Sequence, residues 1–168
     1  MIDQPCQNIE VKARYPDLDR AREVCRRIGA HFEGILNQID TYFRCPTGRL
    51  KLRQINNEHA ELIQYDRPNE ASARTSTYRF TLVKDATKVL GDILCVVRKR
   101  RELYLWHNVR IHLDDVSELG KFIEFEGVVS PQADEPLSRQ RVDRLVDEFA
   151  IAPADQIGVS YSDLLLSN

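Results

Sequence analysis

Arg49-Leu50-Lys51-Leu52-Arg53 alternates cation and leucine at a period of two. In a strand, residues two apart share a face, so this stretch sets three cations on one side and two leucines on the other. The alternation recurs with other charges at Asn8-Ile9-Glu10-Val11-Lys12, at Arg110-Ile111-His112-Leu113-Asp114 and at Glu124-Phe125-Glu126. Taken singly, each segment reads as a half-buried sheet with a solvated outer face. What distinguishes the set is its sorting by sign: one strand face carries only cations, another carries paired carboxylates, and a third sets a carboxylate beside a lysine. If these faces line one cavity, they form a site for a polyanion carried by metal ions.

Working outward from this strand, residues 38 to 45 read as its hairpin partner across a Pro46-Thr47-Gly48 turn. Segments 60 to 66 and 75 to 83 read as extended, joined through Pro68 and Asn69, with residues 71 to 76 either a mobile lid or a plain hairpin loop. Two more strands are predicted over 95 to 106 and 108 to 114, and another near 122 to 130. Leu18, Ala21, Cys25 and Ile28 follow Pro16-Asp17 at helical spacing until Gly29. The pattern of Ala86, Val89, Leu90 and Ile93 predicts a helix from Asp85 to about Leu94, and Val142, Leu145, Val146 and Phe149 predict another from Pro136 to Phe149. Seven or eight antiparallel strands with helices between them predict an α+β fold, its sheet curled toward a closed or nearly closed barrel. The apolar faces would then pack outward under the helices and leave the charged faces inside, the reverse of an ordinary small barrel.

Composition limits the partners. At 168 residues the chain reads as one domain spanning 1–168. Its 24 Lys plus Arg against 26 Asp plus Glu give a net charge of −2, which argues against nucleic acid or an anionic membrane as partner, so any basic site must be local. No apolar run approaches the roughly 20 residues of a membrane span, and no basic-then-apolar leader opens the chain. A cytoplasmic protein is expected. Cys6, Cys25, Cys45 and Cys95 are scattered without a CxxC pair and read as reduced thiols. A homodimer is an open expectation, since two-fold dimers are the commonest soluble assemblies.

The opening strand, the Gly48–Arg53 stretch, Lys99-Arg100-Arg101-Glu102-Leu103-Tyr104 and the run from Arg110 to Glu126 together resemble the CYTH domain family of triphosphate tunnel metalloenzymes. The closing Ser160-Tyr161-Ser162-Asp163-Leu164-Leu165 is similar to the carboxyl terminus of its CyaB branch, the class IV adenylate cyclases. The resemblance implies an eight-stranded antiparallel tunnel that binds a triphosphate through inward basic residues, and Mg²⁺ or Mn²⁺ through inward carboxylates. It implies Glu10, Glu124 and Glu126 as metal ligands, and Lys12, Lys51, Arg53, Lys99, Arg101, Arg110 and Arg74 as substrate contacts. Glu10, Lys12 and Asp114 are the implied catalytic positions. Two departures stand out. The family's first-strand ExExK reads Asn8-Ile9-Glu10-Val11-Lys12 here, with an amide in place of the first glutamate, and Asp66 stands near a position where relatives carry lysine, with Arg67 beside it.

Of the run Lys99-Arg100-Arg101, only alternate members can share a face, so Lys99 and Arg101 are assigned inward and Arg100 outward; a one-residue slip would exchange them. Arg74 and Arg79 are both candidates for the lining. His112 reads equally as a phosphate contact or proton donor and as a structural histidine. The expected substrate is ATP or another triphosphate. Conversion of ATP to cyclic AMP and pyrophosphate is the first expectation and triphosphate hydrolysis the second. Binding of a triphosphate or polyphosphate without turnover is the rival that Asn8 permits.

Overall fold

The computed structural model describes residues 6–89 and 91–167. Eight strands, β1 (Cys6–Arg14), β2 (His31–Phe43), β3 (Arg49–Ile55), β4 (His59–Asp66), β5 (Arg74–Val83), β6 (Ile93–Trp106), β7 (Val109–Val116) and β8 (Gly120–Val128), form an antiparallel barrel. The barrel is fully closed in the order β1-β5-β4-β3-β2-β6-β7-β8. Three helices accompany it: α1 (Leu18–Arg27), α2 (Glu135–Glu148) and α3 (Tyr161–Leu166). The α+β class and the antiparallel sheet curled into a barrel are therefore as the alternation predicts, and the count of eight strands is the one the family resemblance implies.

The strands turn their apolar faces outward. Ile9, Val11 and Ala13 of β1, Ile111 and Leu113 of β7, and Ile123 and Phe125 of β8 are almost fully buried, in one cluster with Leu18, Ala21, Val24 and Cys25 of α1 and Val142 and Leu145 of α2. Burial of each such aliphatic or aromatic side chain contributes about 1.5–3 kcal/mol, which makes this seam between sheet and helices the main source of stability. Tyr104 and Trp106 of β6 join the same seam, as packing residues. Asp17 starts α1 by accepting from the Arg20 amide at 3.0 Å, and Asp134 starts α2 by accepting from the Leu137 amide. Gly29, at a φ of 72°, ends the first helix in a conformation that favours glycine.

A second cluster closes one end of the barrel from within: Tyr42, Val97, Val116 and Phe122 point inward and meet Tyr161 of α3. The short helix is fixed there by a capping box between Ser160 and Asp163, and by an ion pair from Arg49 to Asp163 at 3.1 Å.

Two predicted elements differ. The strand expected from residue 38 begins at His31, because the long β2–β6 ladder extends past the barrel wall, interrupted by a bulge between Phe32 and Gly34 that breaks the two-residue pattern. The helix expected from Asp85 to Leu94 is a single 3-10 turn, Ala86–Lys88. Ile93 pairs instead with Phe43 in the β2–β6 ladder, and Gly91 sits so close to the Phe43 ring that a Cβ would come within 2.7 Å of it. Leu90, part of that helical reading, lies outside the described residues. The connection before β5 is no hairpin loop standing free. Gly158 approaches the backbone of residues 69 to 71 so closely that a Cβ there would lie 2.9 Å from the Glu70 carbonyl carbon. Among the described residues no disulfide links the four cysteines, and no helix is long and apolar enough to cross a membrane.

Candidate functional site

The inward faces enclose a cavity of about 300 Å³, in which, among the described residues, seven cationic side chains meet five carboxylates. Tyr161 bounds its closed end; Ile63, Tyr78 and Phe80 line it toward the more exposed end, where Phe80 is 41% accessible. Register puts charges opposite one another across neighbouring strands: Asp40 faces Arg53, Lys12 faces Glu124, and Glu10 faces Glu126.

One wall, built by β2, β3 and β6, is organised around Asp40. Its carboxylate accepts both branches of the Arg53 guanidinium at 2.8 Å, the Lys51 ammonium at 3.1 Å and the Lys99 ammonium at 2.9 Å. Burial alone would raise the Asp40 pKa, but Arg53, Lys51 and Lys99 together hold it well below the usual carboxylate range. The lysines bear the cost of their setting. Burial, and then Arg53, pushes Lys51 down to about 7, while burial pushes Lys99 down to about 8 against the pull of Asp40.

The opposite wall, from β1, β7 and β8, is organised around carboxylates. Glu124 receives Lys12 at 3.2 Å and Arg101 at 2.8 Å. Burial opposes its ionisation, yet Lys12, His112 and Arg101 hold it well below the usual range. Arg101 is clasped from behind by both oxygens of Asp114 at 2.7 Å, and Asp114 also accepts from the Tyr161 hydroxyl at 2.8 Å. The Lys12 ammonium lies 4.1 Å over the Tyr161 ring. Glu10 sits between two guanidiniums, Arg67 at 3.0 Å and Arg74 at 3.2 Å, although burial and the nearby Glu124 still push its carboxyl up. Glu126 is held more loosely, 3.6 Å from Arg110. Ligand atoms of His112, Glu124 and Glu126 lie within 4.8 Å of one another.

Of the residues singled out in the sequence, Glu10, Lys12, Lys51, Arg53, Lys99, Arg101, Arg110, Glu124 and Glu126 all line this cavity. Arg100 points outward to Glu102, which Arg22 also holds, so the inward register of Lys99 and Arg101 is the one adopted. Three candidates stand behind the lining instead of on it: Asp114, Arg74 and His112, the last buried opposite Glu124. Asp114 is sealed in by Arg101 and Tyr161, which suits it to positioning Arg101 and not to touching a ligand. Arg74 is spent on Glu10 and on the carbonyls of Glu70 and Ile157. Arg67 takes the place on the lining, reaching Glu10 with Nε while its Nη1 donates to the Gly158 carbonyl at 3.1 Å. Arg79 faces outside. Asp40 and Tyr161 were not singled out. For Asp40 a signal existed, since Gln38, Asp40 and Tyr42 alternate with Ile39 and Thr41; Tyr161 depends on a tertiary contact that no local pattern encodes.

The CYTH domain family model matches residues 7–154, nearly the whole barrel and α2. The chain belongs to the CYTH domain family. No curated protein matches it. Among solved structures, the PH1012 protein of Pyrococcus horikoshii superposes with a TM-score of 0.80 at 23% identity, covering 94% of this chain and 98% of its own. A candidate adenylate cyclase from Vibrio parahaemolyticus gives 0.76 at 22% identity, covering 97% and 99%. The Hippeastrum protein HpAC1, a candidate adenylyl cyclase with a dominant triphosphatase activity, gives 0.65 at 18% identity and 95% of each chain. At these identities the CYTH barrel is what the proteins share. The chemistry of this CYTH cavity has to be argued from its own side chains.

Proposed function

We propose that this CYTH protein binds a nucleoside triphosphate inside the barrel together with a divalent metal ion and converts ATP to cyclic AMP and pyrophosphate, as class IV adenylate cyclases do. The observation that carries the reading is the set of cations that meet in one water-accessible cavity: half-buried Lys51 and Arg53 of β3, buried Lys99 and Arg101 of β6, and buried Lys12 of β1 across from them. A triphosphate brings about four negative charges, which can leave water only where such groups match them. Arginine forks suit phosphate oxygens, and lysines supply point charge. The rim of Ile63, Tyr78 and Phe80 favours a substrate with an organic part over an inorganic chain.

The donor set fits a divalent ion. Glu124 and Glu126 stand together, Glu10 lies on the next strand, and Asn8 turns a buried amide oxygen with no hydrogen-bond partner toward the same cavity. Glu10, Glu124 and Glu126 are the residues that would hold Mg²⁺ or Mn²⁺, with Asn8 contributing an uncharged oxygen. Such an ion, when bound, neutralises charge on phosphate oxygens and aligns the chain. The protein's own groups do the rest. Lys51, Arg53 and Lys99 hold the phosphates, Arg101 is fixed in direction by Asp114, and the Tyr42–Tyr161 end excludes water. In the cyclisation the ribose 3′ hydroxyl passes its proton to water as its oxygen attacks the α-phosphorus, and the α–β bridging bond breaks with pyrophosphate taking the electron pair.

Hydrolysis is a second reading, supported by the dominant triphosphatase activity of the Hippeastrum relative. Binding without turnover is a third, supported by the neutral amide of Asn8 where a second carboxylate would strengthen metal binding. Chromatography of products from ATP and from tripolyphosphate, each with Mg²⁺ and with Mn²⁺, separates the three. Cyclic AMP with pyrophosphate is the expected result, and orthophosphate would replace the cyclase by a triphosphatase. Stabilisation by the ligands without turnover would leave a binder, and a large gain of turnover in Asn8→Glu would then trace the loss to that amide. Neither turnover nor stabilisation would sink the triphosphate reading.

A further inference from the structure

His112 is a buried polar side chain whose hydrogen bonding is unfinished. It lies inward on β7, directly opposite Glu124 on β8, with Glu126 two residues further along the same face. The residue is 3% exposed, and its Nδ1 has no hydrogen-bond partner among the described residues. That nitrogen is nevertheless turned toward two carboxylates, 3.5 Å from Glu124 Oε2 and 3.9 Å from Glu126 Oε1. Buried polar atoms are ordinarily satisfied, so a nitrogen left open beside two carboxylates marks a place for something that binds all three. Asn8, on the cavity lining beside Glu124 and Glu126, leaves a second buried polar atom open, on the strand that pairs with β8. The carboxylates keep capacity as well: Glu124 uses one oxygen for Lys12 and the other for Arg101, each with a further lone pair, and Glu126 is held only loosely among the described residues, 3.6 Å from Arg110.

We propose that His112 Nδ1 joins Glu124 and Glu126 as a direct ligand to the bound cation, so that this barrel carries a mixed nitrogen–oxygen site selective for a first-row transition ion, such as Mn²⁺, over Mg²⁺. The inference rests on the metal reading given above and adds the ligand and the selectivity. Mg²⁺ is a hard ion that is served by oxygen and keeps its waters, and it gains little from an imidazole. Zn²⁺, Fe²⁺ and Ni²⁺ gain most from imidazole nitrogen, Mn²⁺ gains less but more than Mg²⁺, and a neutral ring also donates without adding charge to an already acidic wall. In this chain the histidine ligand would offset what Asn8 withholds.

Pulsed electron paramagnetic resonance of Mn²⁺ added to the metal-stripped, untagged full-length protein, with and without tripolyphosphate, tests the ligand without requiring turnover. The expected result is nitrogen-14 hyperfine coupling that disappears in His112→Leu and in His112→Asn, while the exposed His31, His59 and His107 are left unchanged. Titrations should show Mn²⁺ affinity falling by roughly tenfold or more in both variants, with Mg²⁺ affinity changed by less than about twofold. Mn²⁺ held by oxygen ligands alone, or Mn²⁺ and Mg²⁺ weakened equally, would overturn the role of His112 and leave the carboxylate metal site standing. No binding of either ion, with or without tripolyphosphate, would overturn the metal reading and this inference with it. Should both variants fail to fold, the spectrum of the unmodified protein decides the matter by itself.

Discussion

The two walls of the barrel treat buried charge in opposite ways. On β2, β3 and β6 a single carboxylate, Asp40, gathers three cations, so that wall is net positive with its side chains already aimed. On β1, β7 and β8 the carboxylates are in the majority locally, and each borrows a cation from its surroundings: Glu124 from Lys12 and Arg101, Glu10 from Arg67 and Arg74. The first wall is preorganised for an anion and the second keeps acceptor capacity for a cation. A phosphate chain with its metal, as proposed, would satisfy both at once. Neither wall alone would distinguish a ligand site from an internal ion-pair network, since buried ion pairs also occur as structural devices.

The hardest way to break the comparison is to remove the organiser of the positive wall. In Asp40→Asn three buried cations lose their shared counter-charge, and breaking a buried pair of this kind costs about 3–5 kcal/mol. Urea melts of the ligand-free protein should show that loss, and tripolyphosphate should restore part of it by replacing the missing anion. Unchanged stability would mean that Asp40 does not hold the wall together.

Next in size is Arg53→Leu, which removes a fork from the positive wall without touching the acidic one. Charge-assisted bonds of about 1.5–3 kcal/mol predict a loss of roughly 10- to 100-fold in tripolyphosphate affinity by calorimetry, with metal binding at the opposite wall preserved. An equal loss of metal binding would show that the walls are not separable.

Acidity sharpens the contrast. Lys51 and Lys99 carry pKa values lowered to about 7 and about 8, so their charge is full below this range and lost above it. A bound polyanion favours the charged forms, and tripolyphosphate affinity should therefore weaken as pH rises from about 7 to about 9. Ligand-free stability should move the other way. The unfolded lysines keep their protons up to a pKa of about 10.4, so the unfolded chain binds more protons across the window and folding becomes more favourable as pH rises. Flat affinity over that range would contradict the placement of these lysines against the ligand.

The smallest effect is expected outside the barrel. Arg100→Ala removes an outward, half-exposed partner of Glu102, which Arg22 also holds, and should cost no more than about 1 kcal/mol with ligand affinity unchanged.

Much of this architecture was legible because strand faces have a period of two. Residues 8–12, 49–53, 110–114 and 124–126 declared both their strands and their inward charges, and the alternation set Arg100 on the face opposite Lys99 and Arg101, with the β6 register deciding which face is inward. Legibility failed where position depends on distant chain. Arg67 lies past the end of β4 and reaches the lining only because the Gly158 carbonyl and Glu10 receive it. Tyr161 is an ordinary helix residue until α3 docks across the barrel end, and the apparent helix around Ala86 and Val89 was an apolar spacing used instead to cover Leu50 and Leu52. Asp114 and Arg74 have the right charge for a ligand, yet Asp114 is taken up by Arg101 and Tyr161, and Arg74 Nε and Nη1 by Glu10, Glu70 and Ile157, which spacing cannot reveal.

Thermal unfolding with increasing tripolyphosphate and Mn²⁺ tests most directly whether the interior is a triphosphate site. Ligand at about 100 times its dissociation constant stabilises by roughly 2.7 kcal/mol, which for a chain of this size raises Tm by about 5–10 °C, and Arg53→Leu should need far more ligand for the same rise. An unmodified protein whose Tm does not move at saturating ligand would contradict the account.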